Sequence, residues 1–253
     1  MNVIQTDICV IGAGSGGLSV AAGAVQMGAG VVLIEMGAMG GDCLNTGCVP
    51  SKALLHAGAE GLDWKAAHVH MRATIEKIAP HDSVERFEGL GVRVLKGFAQ
   101  FTSPREVTVG ETSVRARRFV VATGSQPFVP DIRGLAALPY LTNETIFDLP
   151  ARPAHLLILG AGAIGIEMAQ AHRRLGCEVT VVEAERALGR EDPDAAAVVL
   201  TALEAEGVRI HQDTPVSAAR PHADGIALDT AAGEITGSHL LVATGRRPSV
   251  EAM

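Results

Sequence analysis

The sequence predicts an α/β fold of two three-layer units in tandem, each built on a parallel sheet, and three observations predict it. An apolar strand runs into a Gly-x-Gly-x-x-Gly turn twice, in "DICVIGAGSGG" (7–17) and "HLLILGAGAIG" (155–165). Each turn leads through a small-residue helix to a second apolar strand, "GVVLIE" (30–35) and "EVTVVE" (178–183), that ends on a glutamate. Each copy closes on a late apolar strand ending in Ala-Thr-Gly, in "FVVATGSQP" (119–127) and "LLVATGRRP" (240–248). Self-similarity of this kind marks a duplicated supersecondary unit, and strands alternating with helical stretches argue a parallel sheet.

The spacing within each copy has a physical cause. Gly12, Gly14 and Gly17 form the first fingerprint, and Gly160, Gly162 and Gly165 the second. The first glycine of such a turn allows the tight bend, the second lets a pyrophosphate approach the backbone, and the third lets the helix pack on the sheet. The helix start then offers free N–H groups and the positive end of its dipole to phosphate. An acid about 20 residues on accepts from a ribose hydroxyl. From Gly12 to Glu35 is 23 positions, and from Gly160 to Glu183 is again 23. A single fingerprint is weak evidence; two in the same strand–turn–helix–strand–Glu setting predict two Rossmann-like dinucleotide domains.

The two copies differ in length at one place. From Glu35 to Ala122 is 87 positions and from Glu183 to Ala243 is 60, so the first copy is longer by 27. The surplus falls in the region of "GGDCLNTGCVPSK" (40–52), which carries Cys43 and Cys48. After it, Ser51–Gly58 and Trp64–Phe87 read as helical, with Pro80 breaking the second stretch. "VRVLKGFAQF" (92–101) and "EVTVGETSVRARRFVVA" (106–122) alternate as strands, and "FDLPARPAHLLIL" (147–159) reads as the connection between copies. The expected domains are therefore 1–148, with the cysteine insertion, and 149–242, with 243–253 beginning a return to the first domain.

Composition narrows the function. Of 253 residues, 47% are hydrophobic and 19% charged, a globular balance with ample core. A net charge of -7 and 3% aromatics argue against a nucleic-acid partner, which calls for a basic face or stacking platforms. Four cysteines are too few for a disulfide scaffold. Ile8–Ile34 holds no charged residue, but glycines break the run, so two strands around a helix explain it better than a membrane span. No membrane partner and no leader peptide are expected, with cytoplasmic location as the default.

Two dinucleotide domains in one chain suggest a flavin and a nicotinamide exchanging electrons. Glu183 favours NAD over NADP, since a carboxylate repels a 2'-phosphate; Arg186, three residues on, works against that preference. Cys43 and Cys48 then read as a dithiol–disulfide couple beside the flavin, with a helix start and Lys52 favouring a thiolate. The alternative is two inert buried thiols, which is the reading of Cys9 and Cys177 in their apolar strand regions. No metal site is expected, because no histidine stands at ligand spacing beside the pair. His68 and His70, on different sides of a helix, read as surface or boundary residues.

"GGDCLNTGCVPSK", with both fingerprints and both Ala-Thr-Gly strands, resembles the class I pyridine nucleotide–disulfide oxidoreductases over nearly the whole chain. The resemblance implies an oxidoreductase, a flavoprotein with FAD, NAD and a redox-active disulfide bond. Electrons would be exchanged among a small dithiol or disulfide substrate, Cys43–Cys48, FAD and NAD. It assigns Gly12, Gly14, Gly17, Glu35, Gly41, Gly97, Thr123 and Gly124 to FAD, and Gly160, Gly162, Gly165, Glu183 and Gly245 to the nicotinamide dinucleotide. Cys48 would be the thiol nearest the flavin and Cys43 the one that exchanges with substrate. Lys52 would lie by the flavin and pair with Glu167.

Among members the chain is most like dihydrolipoamide dehydrogenase, with a lipoyl substrate, or alternatively a mercuric-reductase-like enzyme. The segment from Lys52 to Gly97 looks short for the family. The family also continues past Met253 with a flavin-sealing segment and a dimer-interface domain carrying a catalytic histidine. The chain is therefore expected to be a truncated member of homodimeric enzymes. A truncated dinucleotide-binding chain, non-catalytic or with at most dye-reductase activity, is the alternative of a different class.

Overall fold

The apolar runs fold as strands buried on both faces, and the acids and glycines that follow them fall at strand ends. The structure, a computed structural model, describes residues 2–251. β1 (Asn2–Ile11), α1 (Ser15–Gln26) and β2 (Val31–Glu35) form the first βαβ start. Four helices follow, α2 (Gly41–Asn45), α3 (Cys48–Ala59), α4 (Trp64–Ile78) and α5 (Val84–Gly89). The break expected at Pro80 is a 3-10 turn, Ala79–Asp82, with proline in its first turn, where a missing N–H leaves no bond unmade. Ser83 then caps α5 by accepting from Arg86 N at 3.2 Å.

The stretch 92–101 divides at Gly97 into β3 (Arg93–Lys96) and β4 (Gln100–Ser103). β5 (Glu106–Val109), β6 (Thr112–Val121) and the short β7 (Ser125–Pro127) complete the first half. The second half runs β8 (His155–Leu159), α6 (Ala163–Arg174), β9 (Glu178–Val182), α7 (Pro193–Ala205) and β10 (Arg209–His211). β11 (Val216–His222), β12 (Gly225–Thr230), β13 (Gly233–Gly237), β14 (His239–Val242) and β15 (Arg246–Pro248) end it.

The chain packs as two compact units, one holding the residues up to Val49, Ala73–Gln126 and those from Pro248 on, the other Pro50–Arg72 and Pro127–Arg247. In the first, the strand order is β3-β2-β1-β6-β5-β4. β3, β2, β1 and β6 are parallel, and β5 and β4 extend the sheet antiparallel. Val31 and Leu33 face α1 and α5 with Leu18, Ala21 and Phe87. Val32 and Ile34 turn to the other face with Cys9, Val107 and Val114. Burial on both faces is why β2 reads as a continuous apolar run rather than an alternating one.

The second unit repeats the plan with the parallel order β10-β9-β8-β14. α6 packs against β8 and β9. The antiparallel sheet β11-β12-β13 brings Ala219, Ile226 and Leu228 against Leu157, Leu159 and Leu240. The α/β expectation holds, with parallel sheets and Rossmann-like crossovers. In both units the order reverses beside the fingerprint strand, β1 or β8, and the crevice at such a switch point is where open α/β sheets bind ligands.

One sequence reading is corrected here. His68 is not at the surface: it is buried in α4 beside Ala67 and Met71, with its ring 4.3 Å from Trp64. Trp64 also lies 5.8 Å from the fully buried His172 of α6. His172 Nδ1 donates to Met168 O at 2.9 Å, which fixes the neutral tautomer. Burial pushes its pKa down from 6.5 to about 4, while the same imidazole in the unfolded chain keeps its ordinary value. The unfolded state therefore binds more protons as pH falls from about 6.5 to 4, and stability is lost over that window, by roughly 3 kcal/mol in all. His172→Leu is expected to flatten the fall in denaturant midpoint between pH 7.5 and 4.5; an unchanged slope would contradict this origin.

Candidate active site

The first fingerprint is held by sterics that leave no room for side chains. Gly12 follows β1 at φ 103°, and a Cβ there would lie 2.2 Å from Ala122 O. A Cβ on Gly17 would stand 1.8 Å from Gly12 O, so α1 packs on the turn only without one. Gly14 is the N-cap of α1 and supplies no side-chain cap to a first turn that contains no acid. Its N–H groups are thus left for an anionic ligand. Gly41 presses on this turn, since its Cβ would lie 2.7 Å from Gly14 Cα, and Gly14 and Gly40 form a β-bridge.

Glu35, at the end of β2, is oriented by two backbone donors. Oε2 accepts from Ala13 N and Oε1 from Gly37 N, each at 2.6 Å. A carboxylate has about four lone-pair positions, so two remain for ribose hydroxyls. Gly97, beyond β3, donates to Glu35 O at 2.9 Å. Thr123 and Gly124 follow β6, with Thr123 Cα 3.2 Å from where a Gly12 Cβ would be. Gly124 O accepts from Ser249 N at 3.0 Å.

The second copy reproduces this within its own unit. Gly160 has φ 104°, and a Cβ there would lie 2.5 Å from Ala243 O. A Cβ on Gly165 would stand 2.0 Å from Gly160 O. Gly162 caps α6, again with no side-chain cap and no acid in the first turn, and space opens around it. Glu183 Oε2 accepts from Ala161 N at 2.7 Å and Oε1 from Glu185 N at 3.1 Å. Gly245, at φ 142°, also faces open space. Each set fits one dinucleotide: uncapped N–H groups for a pyrophosphate, and a carboxylate with lone pairs to spare for a ribose.

Cys43 is the third residue of α2 and half-buried; Cys48 opens α3 and is exposed. Both are thiols, and they hydrogen-bond to each other. That bond, then burial, pushes the Cys43 thiol up to about 11. Asp82, a residue the sequence reading did not single out, adds to the effect through its charge. Cys9 and Cys177 are fully buried, with thiols raised by burial to about 12 and about 11, the inert state expected of them. Among the described residues no group of three His, Cys, Asp or Glu side chains could hold a metal ion. No helix among them is long and apolar enough to cross a membrane.

Lys52 lies one turn into α3, and its Nζ meets Glu167 of α6 at 2.8 Å to Oε1 and 3.1 Å to Oε2. The Lys52 side chain is 64% exposed, so the pair contributes at most about 1 kcal/mol to stability. Glu167→Gln is therefore expected to move the unfolding free energy by less than about 1 kcal/mol, and a larger drop in a denaturant melt would contradict a marginal ion pair.

Comparison with known proteins agrees with this geometry. The family model described as "Pyridine nucleotide-disulphide oxidoreductase" matches residues 6–253. A mercuric reductase of Streptomyces lividans is 35% identical over 95% of this chain and 56% of its own length. A dihydrolipoyl dehydrogenase of Thermus scotoductus is 36% identical over 98% of this chain and 58% of its own. The solved structure of the HOCl-induced flavoprotein disulfide reductase RclA from Escherichia coli superposes with a TM-score of 0.89 at 28% identity, covering 98% of this chain and 58% of that one. The chain thus spans a little over half the length of these relatives. With two nucleotide fingerprints, a facing pair of thiols and a family match over nearly its full length, the chain belongs to the pyridine nucleotide-disulphide oxidoreductase family.

Proposed function

We propose that the chain carries the electron-transfer half of an FAD-dependent, NAD-linked disulfide oxidoreductase. The observation that supports this most directly is the hydrogen-bonded thiol pair Cys43 and Cys48, in a chain with two complete fingerprints. The first copy (1–148) would hold FAD through Gly12, Gly14, Gly17, Glu35, Gly41, Gly97, Thr123 and Gly124, with Lys52 as the cation near its reducible end. The second (149–242), with Gly245 just beyond it, would hold NAD through Gly160, Gly162, Gly165 and Glu183. FAD, when bound, supplies a two-electron carrier between a nicotinamide and a dithiol. Glu183 favours NAD over NADP because its carboxylate, fixed by Ala161 N and Glu185 N, meets a 2'-phosphate with like charge.

The thiols do the exchange chemistry. Cys43 attacks a substrate disulfide and forms a mixed disulfide, and Cys48 displaces the second sulfur to leave Cys43–Cys48 oxidised. Run in reverse, the pair oxidises a small dithiol. A dihydrolipoamide dehydrogenase and a mercuric reductase are both served by this pair, and the 36% and 35% identities to one relative of each kind support the two readings alike. A homodimer fits either. The test begins with the chain oxidised by diamide, supplied with FAD and NADH, and titrated for free thiols. Two additional thiols per chain are expected, absent in Cys48→Ser; no gain would overturn the proposal. Acceleration of NADH oxidation by lipoamide or by mercuric ion then separates the two readings.

A further inference from the structure

The 3-10 turn that ends on Asp82 reaches the redox loop from a distant part of the sequence. A Cβ on Gly40 would lie 3.0 Å from Asp82 Oδ2, so the carboxylate lies against the N-cap of the short helix that carries Cys43. Among the described residues Asp82 makes no ion pair. Arg86, four residues on, commits Nη1 to the His81 carbonyl at 2.5 Å. Asp82 is half-buried, and its charge acts on Cys43. An anion with no ion-pair partner among the described residues therefore lies at the N-cap of the helix carrying the thiol that the functional reading gives to substrate exchange, and its charge reaches that thiol.

We propose that Asp82 selects the substrate by charge, so that the thiol pair takes neutral or cationic disulfides and discriminates against anionic ones. The step is ordinary thiol–disulfide exchange, and resting on the function proposed above it needs no further reactant. The Cys43 thiolate attacks R–S–S–R, giving Cys43–S–S–R and R–S⁻, which takes up the proton Cys43 released. Cys48 attacks Cys43 Sγ, giving the Cys43–Cys48 disulfide and a second R–S⁻, which takes the Cys48 proton. Two electrons and two protons pass to the substrate. A substrate group joined to Cys43 enters the field of Asp82, and like charges raise the barrier even in a water-like medium. Carboxylate-bearing disulfides are penalised, while amides, alcohols and amines are not.

The test uses the pre-reduced chain in single turnover at pH 8 and low salt. Its oxidants are cystamine (cationic), hydroxyethyl disulfide (neutral internal standard) and 3,3'-dithiodipropionate (anionic). Free dithiothreitol measures the intrinsic reactivity ratio of the same compounds. The cystamine-to-dithiodipropionate ratio is expected to exceed the dithiothreitol ratio about fivefold. It should collapse toward the dithiothreitol value in Asp82→Asn, and again in the unmodified chain at 0.5 M salt, where screening shortens the reach of the charge. Asp82→Glu should retain it. A ratio untouched by Asp82→Asn and by salt would overturn the proposal, and the salt series alone decides it if Asp82→Asn does not fold. Reduction of the neutral disulfide without charge preference removes this inference and leaves the functional reading standing; no reaction with any of the three removes both.

Discussion

Cys48→Ser is expected to lower NADH-linked disulfide reduction at least about a thousandfold, because an alcohol at that position can neither resolve a mixed disulfide nor store two electrons. The same substitution should leave the thermal midpoint nearly unmoved. Cys48 is exposed, and surface substitutions of similar volume usually stay within about 0.5 kcal/mol. Cys43→Ser should behave alike in turnover, because it removes the thiol that attacks the substrate disulfide. Cys9→Ser and Cys177→Ser should show the opposite pattern, unaltered turnover per folded chain and reduced stability, since both side chains are fully buried. Turnover assays beside thermal melts check all four. Residual activity above a tenth of the parent in Cys48→Ser would contradict the role given to the pair.

The second large effect is expected at the first glycine of each fingerprint. Gly12→Ala forces a side chain into φ 103° and a Cβ to within 2.2 Å of the Ala122 carbonyl. Gly160→Ala does the same at φ 104° and 2.5 Å from Ala243 O. Backbone strain of about 1–3 kcal/mol adds to overpacking of similar size, so each change should cost about 3 kcal/mol or more. The losses of binding should separate: Gly12→Ala abolishes FAD retention, and Gly160→Ala abolishes NADH binding. Gly28→Ala is the control, since Gly28 has φ 84° with open space around it and should bear the strain alone. Denaturant melts with flavin and nicotinamide binding measure these. Equal loss of both ligands in both variants would contradict two independent sites.

The fingerprints were legible because their information is local. The 23-residue interval from glycine to acid predicts where the carboxylate goes, and in both copies it receives a backbone N–H from the residue after the first glycine. The helix break at Pro80 was readable for the same reason: a proline dictates its own neighbourhood. α7 went unread although Asp192 and Pro193 are a strong start signal, with Asp192 Oδ1 accepting from Asp194 N and Ala195 N. The meander β11–β13 was invisible for another reason. The burial of its strands comes from the sheet they cover rather than from a regular alternation of their own. His68 was misassigned because which face of α4 turns inward depends on what packs against it. Asp82 could not be found from the sequence at all, since nothing in its spacing links it to Cys43.

The central claim is that one chain couples its thiol pair to a bound flavin. An anaerobic titration of the FAD-supplemented chain with NADH, followed by its visible spectrum, tests this most directly. A long-wavelength charge-transfer band that grows with added NADH, and is missing in Cys48→Ser, is the predicted result. A spectrum that remains that of free FAD throughout the titration would contradict the account.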